Sequence, residues 1–151
     1  MALSQQEISD RLEINDVLVR YTRSIDNRDY ELLDTCFTPD AHLDYTASGG
    51  IKGSYPDVRA WLEKALAQFQ AMMHMIGNVV IEVDGDKAAS RTYLMNPMGV
   101  EASGGAMQFF TVGGEYVDQL VRTPDGWRIR ERIEKQTYLQ GSLPDSLQVP
   151  S

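Results

Sequence analysis

One cysteine and two histidines occur in the 151 residues. Cys36 therefore has no intrachain partner, so no disulfide framework exists and an oxidising compartment is not required. Two histidines and one cysteine do not form a spaced ligand set either, and no metal is expected. Basic residues are also scarce: 14 Lys and Arg stand against 22 Asp and Glu, a formal charge of -8. Phosphates demand a basic surface, so this balance argues against nucleic acid and against an anionic membrane as partners. No apolar run is long enough to span a bilayer. The first residues, from Met1 to Glu7, have neither the basic start nor the apolar core of a signal peptide. Cytoplasmic residence and a small, uncharged or apolar substrate are the expectations. The pairs Gly104-Gly105 and Gly113-Gly114 lack the lysine or following helix of a phosphate loop, and no cofactor is expected.

What is present is ordinary globular composition, 42% hydrophobic and 24% charged, in a chain long enough for one domain with a real core. Residues 1–140 read as that domain and 141–151 as a polar, proline-containing tail. Ser4-Gln5-Gln6-Glu7 is a capping box. Ile14, Leu18, Tyr21 and Ile25 follow helical spacing, which predicts a helix from about Ser4 to Asn27. A short helix is expected over Tyr30–Phe37, with Asp29 as N-cap and Pro39 as its stop, then a short strand over Ala41–Tyr45. Gly49-Gly50 and Gly53 mark a loop. Pro56 suits the first turn of a third helix running through Trp61 to Phe69.

The pattern then changes to long strands: Met72–Val83, Lys87–Glu101, Met107–Arg122 and Trp127 to about Tyr138, with turns at Asp84-Gly85-Asp86, Ala102–Gly105 and Pro124-Asp125-Gly126. Gly113-Gly114 predicts a bulge. Helices followed by an antiparallel meander define an α+β chain. The helices then cover one face of a curved sheet, and the space between is the natural pocket.

His74 is the residue that most invites a chemical reading. It sits in Met72-Met73-His74-Met75-Ile76, where a titratable ring must find a hydrogen-bond partner to be tolerated. Strand alternation puts it with Ile76, Asn78 and Val80, opposite Met75, Val79, Ile81 and Val83. Asp26 lies in the last turn of the first helix, where the macrodipole disfavours a negative charge, and a partner such as His74 would compensate it. The alternative at each position is structural: a histidine satisfied in the core, and a turn residue in Asp26-Asn27-Arg28-Asp29. Tyr21, on the core stripe, needs an indoor partner for its hydroxyl. Asn96 is a polar group at an apolar strand end. His42, beside Asp44 and Tyr45, reads as a solvated loop-edge residue, and Cys36 as a small buried hydrophobe.

Tyr21-Thr-Arg-Ser-Ile-Asp26, Phe37-Thr-Pro-Asp-Ala41, Gly53, the helix around Trp61, Met73-His74-Met75-Ile76-Gly77-Asn78 and Gly126-Trp127-Arg128-Ile129 occur in an order and spacing that resemble the SnoaL-like branch of the nuclear transport factor 2 (NTF2) superfamily. Within it the scytalone dehydratase-like proteins are the most similar in pattern, and the resemblance runs from about Gln5 to Tyr138. It implies a cone-shaped NTF2-like fold, a homo-oligomer (a trimer, with a dimer as the alternative) and a catalytic dyad at Asp26 and His74. Tyr21 falls where the family's bile acid 7α-dehydratase has a tyrosine. Arg132, five residues after Trp127, matches an arginine of the hexachlorocyclohexane dehydrochlorinase. Strict alternation groups Arg132 with Arg128, Arg130 and Glu134 on a solvated or interface face, so a bulge or twist is required to bring it to the pocket. Two departures stand out: Asn96-Pro97 replaces an acidic position of the bile acid enzyme, and no histidine follows His74.

These readings combine into an expected cofactor-independent lyase, a dehydratase. His74 would take a proton from carbon, Asp26 would hold the ring, and Tyr21 and Asn96 would polarise the substrate oxygen. Tyr45, Trp61, Phe110 and the methionines Met72, Met73, Met75 and Met95 are the expected apolar wall. An isomerase or dehydrohalogenase with the same dyad, or a non-catalytic ligand-binding or assembly subunit like those of ring-hydroxylating dioxygenases, are the alternatives.

Overall fold

The computed structural model describes residues 2–151. Ser4 caps α1 (Gln5–Asn27) through a reciprocal capping box with Glu7, its Oγ accepting from the Glu7 amide at 3.1 Å. The helix buries Ile14, Val17, Leu18, Tyr21 and Ile25, and ends where Arg28 takes a left-handed φ of 53°. The Arg28 side chain then donates to the carbonyls of Leu66 (3.0 Å) and Phe69, which fastens the end of α1 to the end of α3 (Tyr55–Leu66). Asp29 does cap the second helix, α2, accepting from the Leu32 amide at 2.9 Å.

That second helix is shorter than its sequence suggests. α2 is Tyr30–Asp34, and Phe37 already belongs to strand β1 (Phe37–Asp44), with Pro39 inside the strand rather than stopping the helix. Proline is tolerated there because the pairing of β1 with its neighbour is irregular between Phe37 and His42, where its missing N–H breaks no regular ladder bond. α3 likewise ends at Leu66 instead of Phe69.

Seven strands form one sheet in the order β2-β1-β7-β6-β5-β3, with β4 also paired to β5. The remaining strands are β2 (Lys52–Ser54), β3 (Ala71–Met72), β4 (Met75–Asp84), β5 (Lys87–Glu101), β6 (Met107–Thr123) and β7 (Gly126–Gln140). All pairs are antiparallel except β1 with β7, which makes the sheet mixed. Helices α1 and α3 contribute Ile14, Val17, Leu18, Val58 and Leu62 to a core shared with Leu94, Phe110, Tyr116, Leu120, Trp127 and Ile129 of the sheet. This is the α+β arrangement that the pattern predicts, and it agrees with the NTF2-like fold that the resemblance implies.

Irregularities in the sheet decide which residues face inward. The expected strand Met72–Val83 is two strands, β3 and β4, interrupted at Met73-His74. One extra residue enters β4 between Gly77 and Val80, where Asn78 has φ 48°. Beyond it the faces exchange. Val79, Ile81 and Val83 turn to the core with Ile76, while Val80 and Met75 are exposed, which corrects the strict alternation read from the sequence.

The predicted irregularity at Gly113-Gly114 is real, but the extra residue lies in the facing strand. Gly113 pairs with Tyr138 and Gly114 with Gln136, which leaves Thr137 bulged from β7. A second bulge in β7 leaves Arg130 between Glu131 and Ile129 without its own partner on β6. Each bulge reverses the inward parity of β7. Trp127 and Ile129 face the core, then Arg132, Glu134 and Gln136, then Leu139.

Candidate active site

Between the helices and the concave face of the sheet lies a cavity of about 370 Å³. His74 enters it from the break between β3 and β4. In the register set by Met72↔Met98 and Met75↔Met95, His74 stands opposite Asn96 of β5. Its backbone N–H does not join the ladder. It donates to Asp26 Oδ2 at 2.9 Å, and the ring Nδ1 meets Asp26 Oδ1 at 2.6 Å. One carboxylate thus fixes both the main chain and the ring of His74, whose side chain is 4% exposed. With Nδ1 engaged, Nε2 is the nitrogen left to serve the cavity that His74 lines.

The charge on Asp26 survives its surroundings. Burial pushes its carboxyl up, but the hydrogen bonds from the His74 ring and backbone, with the attraction of the ring, outweigh it and hold it below the ordinary value.

Tyr21 and Tyr45 face each other across the cavity wall with their hydroxyl oxygens 2.9 Å apart. One donates to the other, which leaves one O–H directed elsewhere. Burial raises the pKa of both, above all for Tyr45, so both are neutral donors near pH 7. Asn96 lines the same cavity, and its buried Oδ1 has no hydrogen-bond partner. A buried carbonyl oxygen in that state is an unmet acceptor, as expected of a group that a ligand completes.

The other expected residues sort cleanly. Tyr45, Trp61 and Phe110 line the cavity. Met73, Met75 and Met95 do not: they stand on the outer face of the sheet, each more than half exposed, because their positions alternate with His74 and Asn96. Met72 packs at the margin of the core, and Met98 is the methionine that reaches the cavity. His42 is exposed, and Asp44 instead holds Thr46 through its amide and hydroxyl. Cys36 is fully buried, its thiol pushed up to about 11 by burial, which suits a packing residue.

Arg132 reaches the interior because of the Arg130 bulge, yet it does not line the cavity. Its guanidinium bonds Asp118 twice at 2.7 Å and lies 4.1 Å from the ring centre of Tyr21 and 4.0 Å from that of Tyr116. It supports Tyr21 from behind. Glu134, assigned by alternation to a solvated face, is the main residue that sequence reasoning missed: the same bulge turns it into the cavity beside Ser48 and His74. The tail, whose role the sequence leaves open, reaches the cavity as well. Leu143, Leu147, Val149 and Pro150 close one side of the cavity, held where Trp61 Nε1 donates to the Pro150 carbonyl at 3.1 Å. Gln68 and Gln148 exchange two further bonds of 2.6 and 2.7 Å. Among the described residues, no cluster of His, Cys, Asp and Glu is arranged to hold a metal ion.

The SnoaL-like domain family model matches residues 6–133, and the chain belongs to that family. Its sequence is 48% identical over 136 residues to the uncharacterized protein Rv2910c of Mycobacterium tuberculosis, covering 90% of this chain and 91% of that one. Among solved structures, it is similar to a putative aromatic ring hydroxylase from Novosphingobium aromaticivorans (26% identity, TM-score 0.80, 90% and 95% of the two chains covered). A putative scytalone dehydratase from the same species superposes with a TM-score of 0.82 at 18% identity over 97% and 96% of the chains. Hexachlorocyclohexane dehydrochlorinase LinA type 2 does so with 0.77 at 18% identity over 95% of each. The last two are likenesses of fold.

Proposed function

We propose that the protein is a cofactor-independent lyase, a dehydratase of small cyclic β-hydroxy carbonyl compounds. The observation that carries the reading is the double grip of Asp26 on His74. A carboxylate at Nδ1 fixes the tautomer with its base at Nε2, orients the ring and stabilises the imidazolium that forms when a proton arrives. In the proposed step, Nε2 removes the proton on the carbon next to the carbonyl. The electrons of that C–H bond form the double bond as the C–O bond at the β carbon breaks. The free hydroxyl proton of the Tyr21–Tyr45 pair donates to the carbonyl oxygen, where negative charge develops.

Asn96 favours hydroxide over halide as the leaving group. Its unmet carbonyl oxygen needs a donor, which a hydroxyl supplies and a halogen does not. The mainly apolar lining suits a carbocycle. A putative scytalone dehydratase among the fold neighbours is consistent with this reading.

The test is a panel of cyclic β-hydroxy ketones followed by the ultraviolet absorbance of the enone product. Wild-type protein is expected to form enone, His74→Ala to lose the activity, and Asp26→Asn to lose about a hundred- to ten-thousand-fold with the fold intact by circular dichroism. A wild-type protein inert to the whole panel, or a fully active His74→Ala variant, overturns the proposal.

A further inference from the structure

Glu134 is a partly buried carboxyl to which the elimination by His74 assigns no role. It stands on β7 between the bulges at Arg130 and Thr137 and lines the same cavity as His74, Tyr21 and Asn96. The two basic groups within electrostatic reach of it are already engaged, Arg132 by Asp118 and His74 by Asp26. Its remaining neighbours are the Ser48 hydroxyl and, within electrostatic reach, the phenols of Tyr21, Tyr45 and Tyr116. A structural carboxylate in such a place would be expected to hold a cation of its own.

Resting on the dehydratase reading, we propose that Glu134 is the general acid of this site, giving its proton to the departing hydroxyl oxygen while His74 takes the proton from carbon. The balance is complete. The C–H pair becomes the C=C bond, the C–O pair leaves on oxygen, and the Glu134 proton converts that oxygen to water. His74 ends as imidazolium and Glu134 as carboxylate, and proton exchange with solvent restores both. Burial favours the protonated carboxyl of Glu134 more than Ser48, His74 and Arg132 oppose it, which is the direction a proton donor needs. The tyrosines are pushed the same way from a far higher starting point. They offer hydrogen bonds but keep their protons.

This division of labour names the substrate class more closely. A poor leaving group, hydroxide, needs a proton; a good one does not. The test compares 3-hydroxycyclohexanone with 3-(4-nitrophenoxy)cyclohexanone, which eliminate to the same enone but differ in leaving group. Glu134→Gln keeps the shape of the acid and cannot give a proton. It is expected to slow loss of water by roughly a hundredfold or more and to leave loss of nitrophenolate within about threefold of wild type. His74→Ala slows both. Retained nitrophenolate release also certifies that the Glu134→Gln protein is folded. If Glu134→Gln slows both eliminations alike, or neither, the general-acid role is overturned while the His74 base stands. If wild type eliminates neither group, or His74→Ala slows neither, the dehydratase reading itself falls and the role of Glu134 falls with it.

Discussion

Arg132 and Asp118 pair directly across β7 and β6, joined by two 2.7 Å hydrogen bonds, and neither side chain exposes any surface. The pair lies behind Tyr21 and Tyr116 rather than in the cavity, so its proposed contribution is positional. Two buried charges tolerate each other only while both are present, since removing one leaves the other desolvated and unpaired. Asp118→Ala is expected to destabilise the protein by about 3–5 kcal/mol, measured by denaturant unfolding. Replacing both partners by apolar residues of similar volume, as in Asp118→Leu with Arg132→Met, should recover much of that loss. A double variant no more stable than Asp118→Ala would mean that the guanidinium's contact with the tyrosine rings matters more than the ion pair.

Asp10 is expected to make the fold sensitive to acid. From the first half of α1 it accepts from Arg122 at 2.7 and 2.9 Å and from the Trp127 indole at 3.1 Å, tying the helix to β6 and β7. The Arg122 hydrogen bonds, against the cost of burial, hold its carboxyl well below the ordinary range. A depressed folded-state pKa contributes stability that is present above the unfolded value near 4 and disappears as pH falls through the folded one. Wild-type unfolding free energy should therefore fall steadily below about pH 4. Asp10→Asn should cost about 2 kcal/mol at pH 7 and flatten that acid limb. An unchanged limb in Asp10→Asn would assign the acid sensitivity to other carboxylates.

The sequence made the helices and the number of long strands legible because each has a local signal: a capping box at Ser4, helical spacing from Ile14 to Ile25, glycine turns between strands. It also exposed Asp26 and His74, since an acid at a helix C-terminus and a lone imidazole among methionines are both locally unfavourable. What stayed hidden depended on parity. Glu134 and Arg132 read as solvated because alternation was carried unbroken through β7, whereas the Arg130 bulge reverses it. Met73, Met75 and Met95 read as cavity wall although their parity opposes that of His74 and Asn96. A bulge in β7 leaves little local mark. The signal for the Thr137 bulge was in the strand opposite, as Gly113-Gly114.

For the tail, polar composition and Pro144 leave two places open, over the pocket or loose in solvent. Leu143, Leu147 and Val149 meet the cavity, and Trp61 and Gln68 hold the segment there. A chain ending at Gln140 should keep His74, Asp26 and Tyr21 in place and open one wall. Trp61 loses its acceptor and gains water, so its fluorescence should shift to the red while Trp127, fully buried, contributes an unshifted component. For a ketone that wild type turns over, KM should rise about tenfold, the worth of one or two lost contacts, with kcat within a few-fold. A kcat collapse with unchanged KM would instead place the tail in the chemistry.

Gly114 tests whether the bulge sets the site. A Cβ built on Gly114 would lie 2.0 Å from the carbonyl oxygen of Lys135, a backbone atom that cannot swing aside as a side chain can. Gly113 faces the ring of Tyr138 just as closely, so the two glycines are what lets Thr137 loop out of β7. Gly114→Ala must push β7 away, and overpacking of that kind costs about 1–3 kcal/mol. The displaced segment begins one residue after Glu134, so the carboxyl moves with it. Gly114→Ala should therefore lower the melting temperature and, on the hydroxy ketone, lower kcat more than it changes KM. Gly77→Ala is the control. It lies in β4 with no atom within 4 Å of its added Cβ and should stay within about 0.5 kcal/mol of wild type. If Gly114→Ala is as stable and as active as this control, β7 accommodates the methyl without moving Glu134, and the bulge is not what positions the acid.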